Sequence, residues 1–118
     1  MAKNAGKPAT SGGLRPAKAL ALADLVGYQD AAIVSRTIKD ANEGTLTLFS
    51  FDAGQNMSEH RAPFDAFVAI LDGEAVLKIG GKDVRAKAGE IVLMPANVPH
   101  ALRADKRFKM MLAMIRAE

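Results

Sequence analysis

The helical period of apolar positions disappears after residue 31, and short apolar segments separated by turn residues indicate β-strands rather than helices. Alternation of apolar and polar positions is clearest over residues 45–51, while residues 67–71 and 90–94 are apolar on both faces, as in strands buried on two sides. Further strands are predicted at residues 32–38, 74–79, 82–86, 100–103 and 107–115. With turns predicted at Asp72-Gly73 and Gly80-Gly81, these roughly eight or nine strands favour an antiparallel sandwich or barrel.

The first part of the chain follows a different pattern. Residues 1–18 are rich in Gly, Pro, Ala and Lys, and we interpret them as a flexible basic tail. Residues 17–26 predict a short helix, because Leu20, Leu22, Leu25 and Val26 partly share one face and Gly27 is a plausible stop. Residues 19–118 then form a single folded domain.

Composition narrows the possible chemistry. The chain has 118 residues, 49% of them hydrophobic and 25% charged, which suits one domain with a buried core. Cysteine is absent, which excludes disulfides, thiolate metal sites and cysteine nucleophiles. The net charge of +3 comes from Lys3, Lys7, Arg15 and Lys18 in the tail, since residues 19–118 hold 12 basic and 13 acidic side chains. We therefore expect no nucleic-acid partner for the folded part.

No stretch approaches the ~20 apolar residues of a membrane span. The basic start of the chain is not followed by an apolar run of signal-peptide length, because Asp24 interrupts residues 20–26. The expectation is a cytoplasmic protein without a membrane partner.

Only two histidines are present, His60 and His100, so a three-histidine zinc site within one chain is excluded. Each histidine lies beside a predicted loop and near a buried strand. In a closed barrel, strands far apart in sequence face one another, so both imidazoles are able to share one ligand.

The residues around the histidines follow two spaced patterns. Gly54, five residues, His60 and then Gly73 form the first, in GQNMSEHRAPFDAFVAILDG. Gly89, five residues, Pro95, four residues and His100 form the second, in GEIVLMPANVPHALRA. These patterns resemble the two motifs of the cupin superfamily over about residues 44–115. The resemblance implies an all-β fold, an antiparallel double-sheet jelly-roll barrel. Asn97 stands at a motif glycine, and asparagine also reaches the left-handed backbone region.

The metal-binding part of the motifs is degenerate. Typical cupins bind a divalent metal through three histidines and one glutamate, and the resemblance implies His60 and His100 as the remaining ligands here. The family's second histidine falls at Ala62 and its glutamate at Ala66. Asp65 is next to Ala66, the position of the family's glutamate. Neighbouring residues of a strand point to opposite faces, so Asp65 is a substitute third ligand only if its segment is a loop. A divalent transition metal such as Zn, Fe, Mn or Ni would then have incomplete protein ligation.

Strand parity within the resemblance also predicts a pocket. With position 66 pointing inward, the interior is apolar and has the two histidines as its polar groups, which suits a small and largely apolar ligand. The predicted lining residues are Ala62, Ala66, Val68, Ile70, Val92, Met94 and Leu102.

Three functions remain open. The first is a small-molecule-binding cupin that contacts its ligand through His60 and His100. The second is a metal-dependent enzyme of dioxygenase or isomerase type with the same histidines as ligands. The third is a metal-free enzyme in which one histidine is a general base. Because a small barrel does not bury outward apolar residues by itself, we also expect a homodimer that covers Phe67, Leu71, Ile91 and Leu93.

Overall fold

The structure, a computed structural model, describes residues 13–117 and is almost entirely β. Residues 1–12 of the predicted tail lie outside the described part, and the division into tail and domain stays a prediction. The all-β, antiparallel class is confirmed, because every strand pair within the described residues runs antiparallel. The strands are β1 (Ile33–Ala41), β2 (Gly44–Phe51), β3 (Asn56–His60), β4 (Phe64–Ile79), β5 (Lys82–Lys87), β6 (Ile91–Met94), β7 (His100–Arg103) and β8 (Phe108–Arg116).

The strands form one connected barrel-like sheet in the order β1-β2-β8-β4-β7-β3. Strand β4 also pairs with β5 and β6, so it belongs to both halves of the sheet. The predicted division into two separate sheets is therefore not confirmed. The sixteen residues of β4 carry the chain from one half to the other.

The turn predicted at Asp72-Gly73 is wrong, because β4 continues through these residues. The pairing of β4 with β8 shifts register between Ile70 and Asp72, and Gly73 has φ +73°. A bulge followed by a left-handed glycine bends a strand sharply without reversing it. The Asp-Gly sequence alone is typical of a turn. Here β4 pairs with β8 before this point and with β5 after it, so the chain bends and does not reverse. The hairpin predicted at Gly80-Gly81 is confirmed, with both glycines at positive φ and Ile79 paired to Lys82.

Strand β3 forms where the sequence pattern predicts a loop. Its sequence, NMSEH, is mostly polar and four of its five residues are exposed, so it lacks the apolar alternation that identifies a strand. These residues form a strand because they pair with β7. The final segment, whose Met, Leu and Ala residues also favour a helix, is the predicted strand β8.

The inner face of the sheet holds the main core. Buried side chains from both halves pack into one cluster, so the two halves face each other across it. Phe51 and Phe108 stack with ring centroids 4.4 Å apart near one end of the cluster. The cluster comprises Phe51, Ala66, Val68, Ile70, Ala75, Leu77, Ala86, Met94, Leu102, Ala104, Phe108 and Met110.

The predicted N-terminal helix is not confirmed, because only a 3-10 turn, Leu22–Leu25, forms in that segment. Ala17 has φ +59°, which interrupts a right-handed helix, and Ala21 provides no side-chain cap. The segment instead packs on the outer face of the sheet as an extended strap, here defined as residues 14–28. Its Leu14, Leu25 and Val26 form a second cluster with outward residues of β1, β2, β4 and β8.

Side chains of the sheet hold the backbone of this strap. Arg36 Nη1 donates to Leu25 O at 3.0 Å, the fully buried Ser50 Oγ donates to Gly27 O at 2.7 Å, and Lys109 Nζ donates to Ala23 O at 2.6 Å. In a helix these carbonyl groups would accept hydrogen bonds from the helix backbone. Here they accept hydrogen bonds from side chains of the sheet. Within residues 13–117, no helix has the length and apolarity that crossing a bilayer requires.

Candidate functional site

The two histidines lie side by side on neighbouring strands. His60 is the last residue of β3 and His100 is the first residue of β7, and the sheet register pairs them directly. Their ring centroids are 4.5 Å apart, with the ring planes at 70°. Two side chains far apart in sequence thus form one polar pair.

Both rings are oriented in the same way by the backbone. His60 Nδ1 lies 3.0 Å from Ser58 O, and His100 Nδ1 lies 3.2 Å from Val98 O. A carbonyl only accepts a hydrogen bond, so each neutral ring carries its proton on Nδ1 and has a lone pair on Nε2. Each imidazole can therefore accept a hydrogen bond or bind a metal ion through Nε2.

The environment of the pair is asymmetric. His60 is exposed, whereas His100 is only 5% exposed. Burial lowers the pKa of His100 from its ordinary value of 6.5, and the positive charge that His60 can carry lowers it further. The hydrogen bond to Val98 O raises the pKa, but by less. His100 is accordingly neutral at pH 7 and keeps its Nε2 acceptor there.

Asp65 is not brought to the histidines. It belongs to β4, next to the buried Ala66, so the two side chains point to opposite faces of the strand. Its Oδ1 accepts a hydrogen bond from the backbone N–H of Ala96 at 3.0 Å, which holds the loop after β6. Among residues 13–117, no three His, Cys, Asp or Glu side chains group into a set that could hold a metal. A third protein ligand from Asp65 stays a prediction that the geometry does not favour.

Six of the seven predicted lining residues lie on the inner face of the sheet. Five of them are buried members of the main core, and Val92 packs against that core. Ala62 is half-buried in the loop before β4, where its carbonyl accepts a hydrogen bond from Asn97 N at 2.8 Å. Asn97 has φ +65°, so it occupies the left-handed region expected from its place in the motif. The five buried members are Ala66, Val68, Ile70, Met94 and Leu102.

An open cavity of about 290 Å³ lies beside this half of the sheet, among residues of β3, β4 and β7. It shares only Leu102 with the predicted pocket. Val76, Lys78, Ala101 and Arg103 also line it. These four residues alternate along β4 and β7 with the inward Leu77 and Leu102, so most of the cavity lining belongs to the outer face of these strands and not to the predicted interior pocket.

Sequence reasoning missed parts of this site. Met57 pairs with Leu102 and packs against the core next to the histidines, although the pattern of its segment indicates a loop. The carbonyls of Ser58 and Val98 that orient the rings were also missed. The sequence carries no signal for these two contacts, because every residue contributes a backbone carbonyl.

Comparison with a family model gives a match to the Cupin domain over residues 47–115, more than half of the chain. This range contains both histidines and seven of the eight strands in whole or in part. A search among curated proteins finds no match.

Several solved structures are similar to this chain. A conserved protein of unknown function from Streptococcus pyogenes has 35% sequence identity and a TM-score of 0.88, covering 98% of this chain and 99% of that one. A cupin superfamily protein from Desulfitobacterium hafniense has 27% identity and a TM-score of 0.83, covering 88% and 95%. A cupin 2 conserved barrel domain protein from Leptotrichia buccalis has 38% identity and a TM-score of 0.78, covering 80% of this chain but 46% of its own length.

Proposed function

Because this chain belongs to the cupin family, we propose that it binds a small, largely apolar molecule in its barrel, with His60 and His100 as polar contacts. The observation that carries this proposal is the paired imidazoles at the border of an apolar interior. An imidazole in its neutral form presents a lone pair, so the favoured ligand has a hydrogen-bond donor, such as a hydroxyl or an N–H group, attached to an apolar body. The exposed side of His60 is the proposed entrance.

A pair of fluorescent probes tests this proposal. N-phenyl-1-naphthylamine is apolar and has one N–H donor, whereas naphthalene has a similar body without a donor. We expect the amine to bind more tightly to the native chain than to a His60→Ala, His100→Ala variant, by roughly three- to tenfold for one lost hydrogen bond of ~1 kcal/mol. Naphthalene should bind both chains alike.

Ser58→Ala is the matched control, because it removes an exposed polar side chain beside the site and keeps the carbonyl that His60 contacts. It should leave amine binding unchanged. Equal amine affinity in the native chain and the double-histidine variant contradicts the assigned polar contacts. Absence of binding for both probes contradicts an apolar ligand site.

The alternative is a metal-dependent enzyme that uses the same histidines, and the two free Nε2 atoms on adjacent rings favour it. A divalent metal would supply Lewis-acid chemistry. The remaining ligands would be water or substrate, since Ala62 and Ala66 occupy the positions of the missing family ligands. Elemental analysis of protein purified without an affinity tag and supplemented with Zn, Fe, Mn or Ni tests this alternative. Near-stoichiometric metal that disappears in the double-histidine variant supports it, and substoichiometric metal in the native chain contradicts it.

A further inference from the structure

A second concave site lies outside the barrel interior, in the open cavity of about 290 Å³ beside β3, β4 and β7. Most of its lining comes from two rows of paired residues that cross β4 and β7 on the outer face of the sheet. Directly paired residues point to the same face, so the side chains of both rows border one concavity. The two rows are Lys78 with Ala101 and Val76 with Arg103.

The floor of this cavity is apolar. Val76 is only 2% exposed although it lies on the outer face of the sheet. Ala101 is half-buried and has a one-carbon side chain, whereas its neighbours Lys78 and Arg103 have long ones. The apolar stems of long charged side chains cover apolar surface, and a short side chain between them leaves a depression. The floor can therefore hold the apolar body of a small molecule.

Polar groups stand at the border of this floor. The exposed Asn56 and Ser58 of β3 contribute an amide and a hydroxyl, which both donate hydrogen bonds. Lys78 contributes an ammonium group on the side of β4. Among residues 13–117, no hydrogen bond or ion pair engages the side chain of Lys78. An anionic group of a ligand is the natural complement of this cation.

The charge of the other cation at the cavity is already offset. Arg103 Nε lies 2.9 Å from Asp105 Oδ1, and Arg103 Nη1 lies 3.6 Å from Asp83 Oδ2. Asp83 is paired with Lys78 across β4 and β5, but its carboxylate contacts Arg103 instead. The two nearby carboxylates would repel an anion of high charge, so a single negative charge suits the site better than two.

We propose that this outer cavity binds a small monocarboxylate with an apolar body. Its carboxylate contacts the ammonium group of Lys78 and accepts hydrogen bonds from Asn56 and Ser58, and its body lies against Val76 and Ala101. The cavity is slightly smaller than the ~300–1,000 Å³ of typical ligand pockets, so the body is a single ring or a short chain. This site is additional to the one in the barrel and does not depend on the histidines.

Three probes test the proposal on the native chain, with binding followed in amide proton–nitrogen correlation spectra. Benzoate has one carboxylate on an apolar ring, benzyl alcohol has a similar ring without the charge, and inorganic phosphate has charge without an apolar body. We expect saturable shifts with benzoate at the amides of Val76, Lys78 and Ala101. Benzyl alcohol should bind about threefold or more weakly, and phosphate should give no saturable shift. Added salt should weaken the binding of benzoate alone.

Lys78→Met removes the charge and keeps an apolar stem. It should weaken benzoate binding by about two- to fivefold, the usual effect of an exposed charge contact, and the remaining affinity should no longer depend on salt. Lys87→Met is the matched control, because Lys87 pairs with Glu74 on the same outer face but does not line the cavity. It should retain the native affinity and its salt dependence.

Ala101→Leu fills the floor and should abolish the binding of benzoate and benzyl alcohol. N-phenyl-1-naphthylamine binding on the same samples reports on the barrel interior and should be unchanged, so failure of either site is recognised separately. The outer site is overturned by an absence of saturable benzoate shifts in the native chain, or by shifts confined to the amides of His60 and His100. Equal affinities for benzoate and benzyl alcohol, or native benzoate affinity in a folded Ala101→Leu variant, also overturn it.

Discussion

At the scale of single residues, the site depends on where two imidazoles keep their protons. The backbone carbonyls two positions before each histidine hold the Nδ1 protons, which leaves both Nε2 atoms free to accept. Burial keeps His100 neutral near pH 7 by lowering its pKa. The same burial links the protonation of His100 to the stability of the fold.

We predict that stability falls as the pH drops below 6.5. Because the pKa of His100 is lower in the folded than in the unfolded chain, the unfolded chain takes up this proton first. The contribution of neutral His100 to the free energy of unfolding is fully present above pH 6.5, and it is lost as the pH falls through the pKa of His100 in the folded chain. Urea unfolding at several pH values between about 5 and 7.5, where most carboxyl groups stay ionised, measures the slope.

His100→Gln should flatten the dependence of the urea midpoint on pH in this range. His60→Gln should retain most of it, because burial lowers the pKa of His100 more than the charge of His60 does. A His100→Gln variant with the native pH slope would contradict the assignment of this slope to His100.

At the scale of elements, the bend of β4 joins the two halves of the sheet. Gly73 has φ +73°, and a Cβ atom built there would overlap the carbonyl oxygen of Arg107. Gly54 has φ +88° in the loop before β3, but a Cβ there would meet no atom within 4 Å. Both glycines therefore need the left-handed backbone conformation. Of the two, only Gly73 also lies close to another segment of the chain.

We predict that Gly73→Ala destabilises the protein more than Gly54→Ala does. Gly54→Ala should cost about 1–2 kcal/mol for a left-handed non-glycine residue. Gly73→Ala should cost a further ~1–3 kcal/mol, because β8 must shift to relieve the overlap. Equilibrium urea unfolding measures both values, and equal losses would show that close approach to Arg107 is unimportant.

At the scale of the whole molecule, the described residues cover one side of the outer face of the sheet and leave the other side open. The strap covers residues such as Ile38, Leu48 and Met111. The rest of this face keeps large apolar side chains exposed, with Ile91 67%, Leu93 48% and Ile115 54% accessible. The half-buried Phe67 pairs with Leu93 and continues the same apolar surface. A patch of this kind is typical of a surface that another protein covers.

We predict that a second copy of the chain covers this surface in a two-fold dimer. The native protein should sediment at twice the chain mass of 12.5 kDa. Leu93→Glu should weaken the dimer by about tenfold or more, since it places a charge in a desolvated contact. Leu20→Glu is the matched control, because Leu20 is also an exposed leucine but lies in the strap. A native monomer, or equal effects of the two substitutions, would contradict this interface.

Local pattern is sufficient for much of this architecture. Short apolar segments bounded by turn residues identify most strands, and the glycine pair at 80–81 identifies a hairpin, because both signals depend only on neighbouring residues. The inward residues of β4, such as Val68 and Ile70, also follow from parity. The spacing of His60 and His100 from the glycines and proline of their motifs indicates the family, because such spacing is a property of the sequence alone.

Tertiary structure decided what depends on contacts between distant segments. Pairing with β7 made a strand of the polar residues 56–60, and pairing with β8 and β5 on either side of Gly73 turned an apparent reversal into a bend. The 4.5 Å contact of His60 with His100, and the placement of Asp65 away from them, also required the register. Local propensities are weak beside the energy of strand pairing and burial. The sequence therefore determined which residues this protein has for chemistry, and the fold alone determined which of them meet.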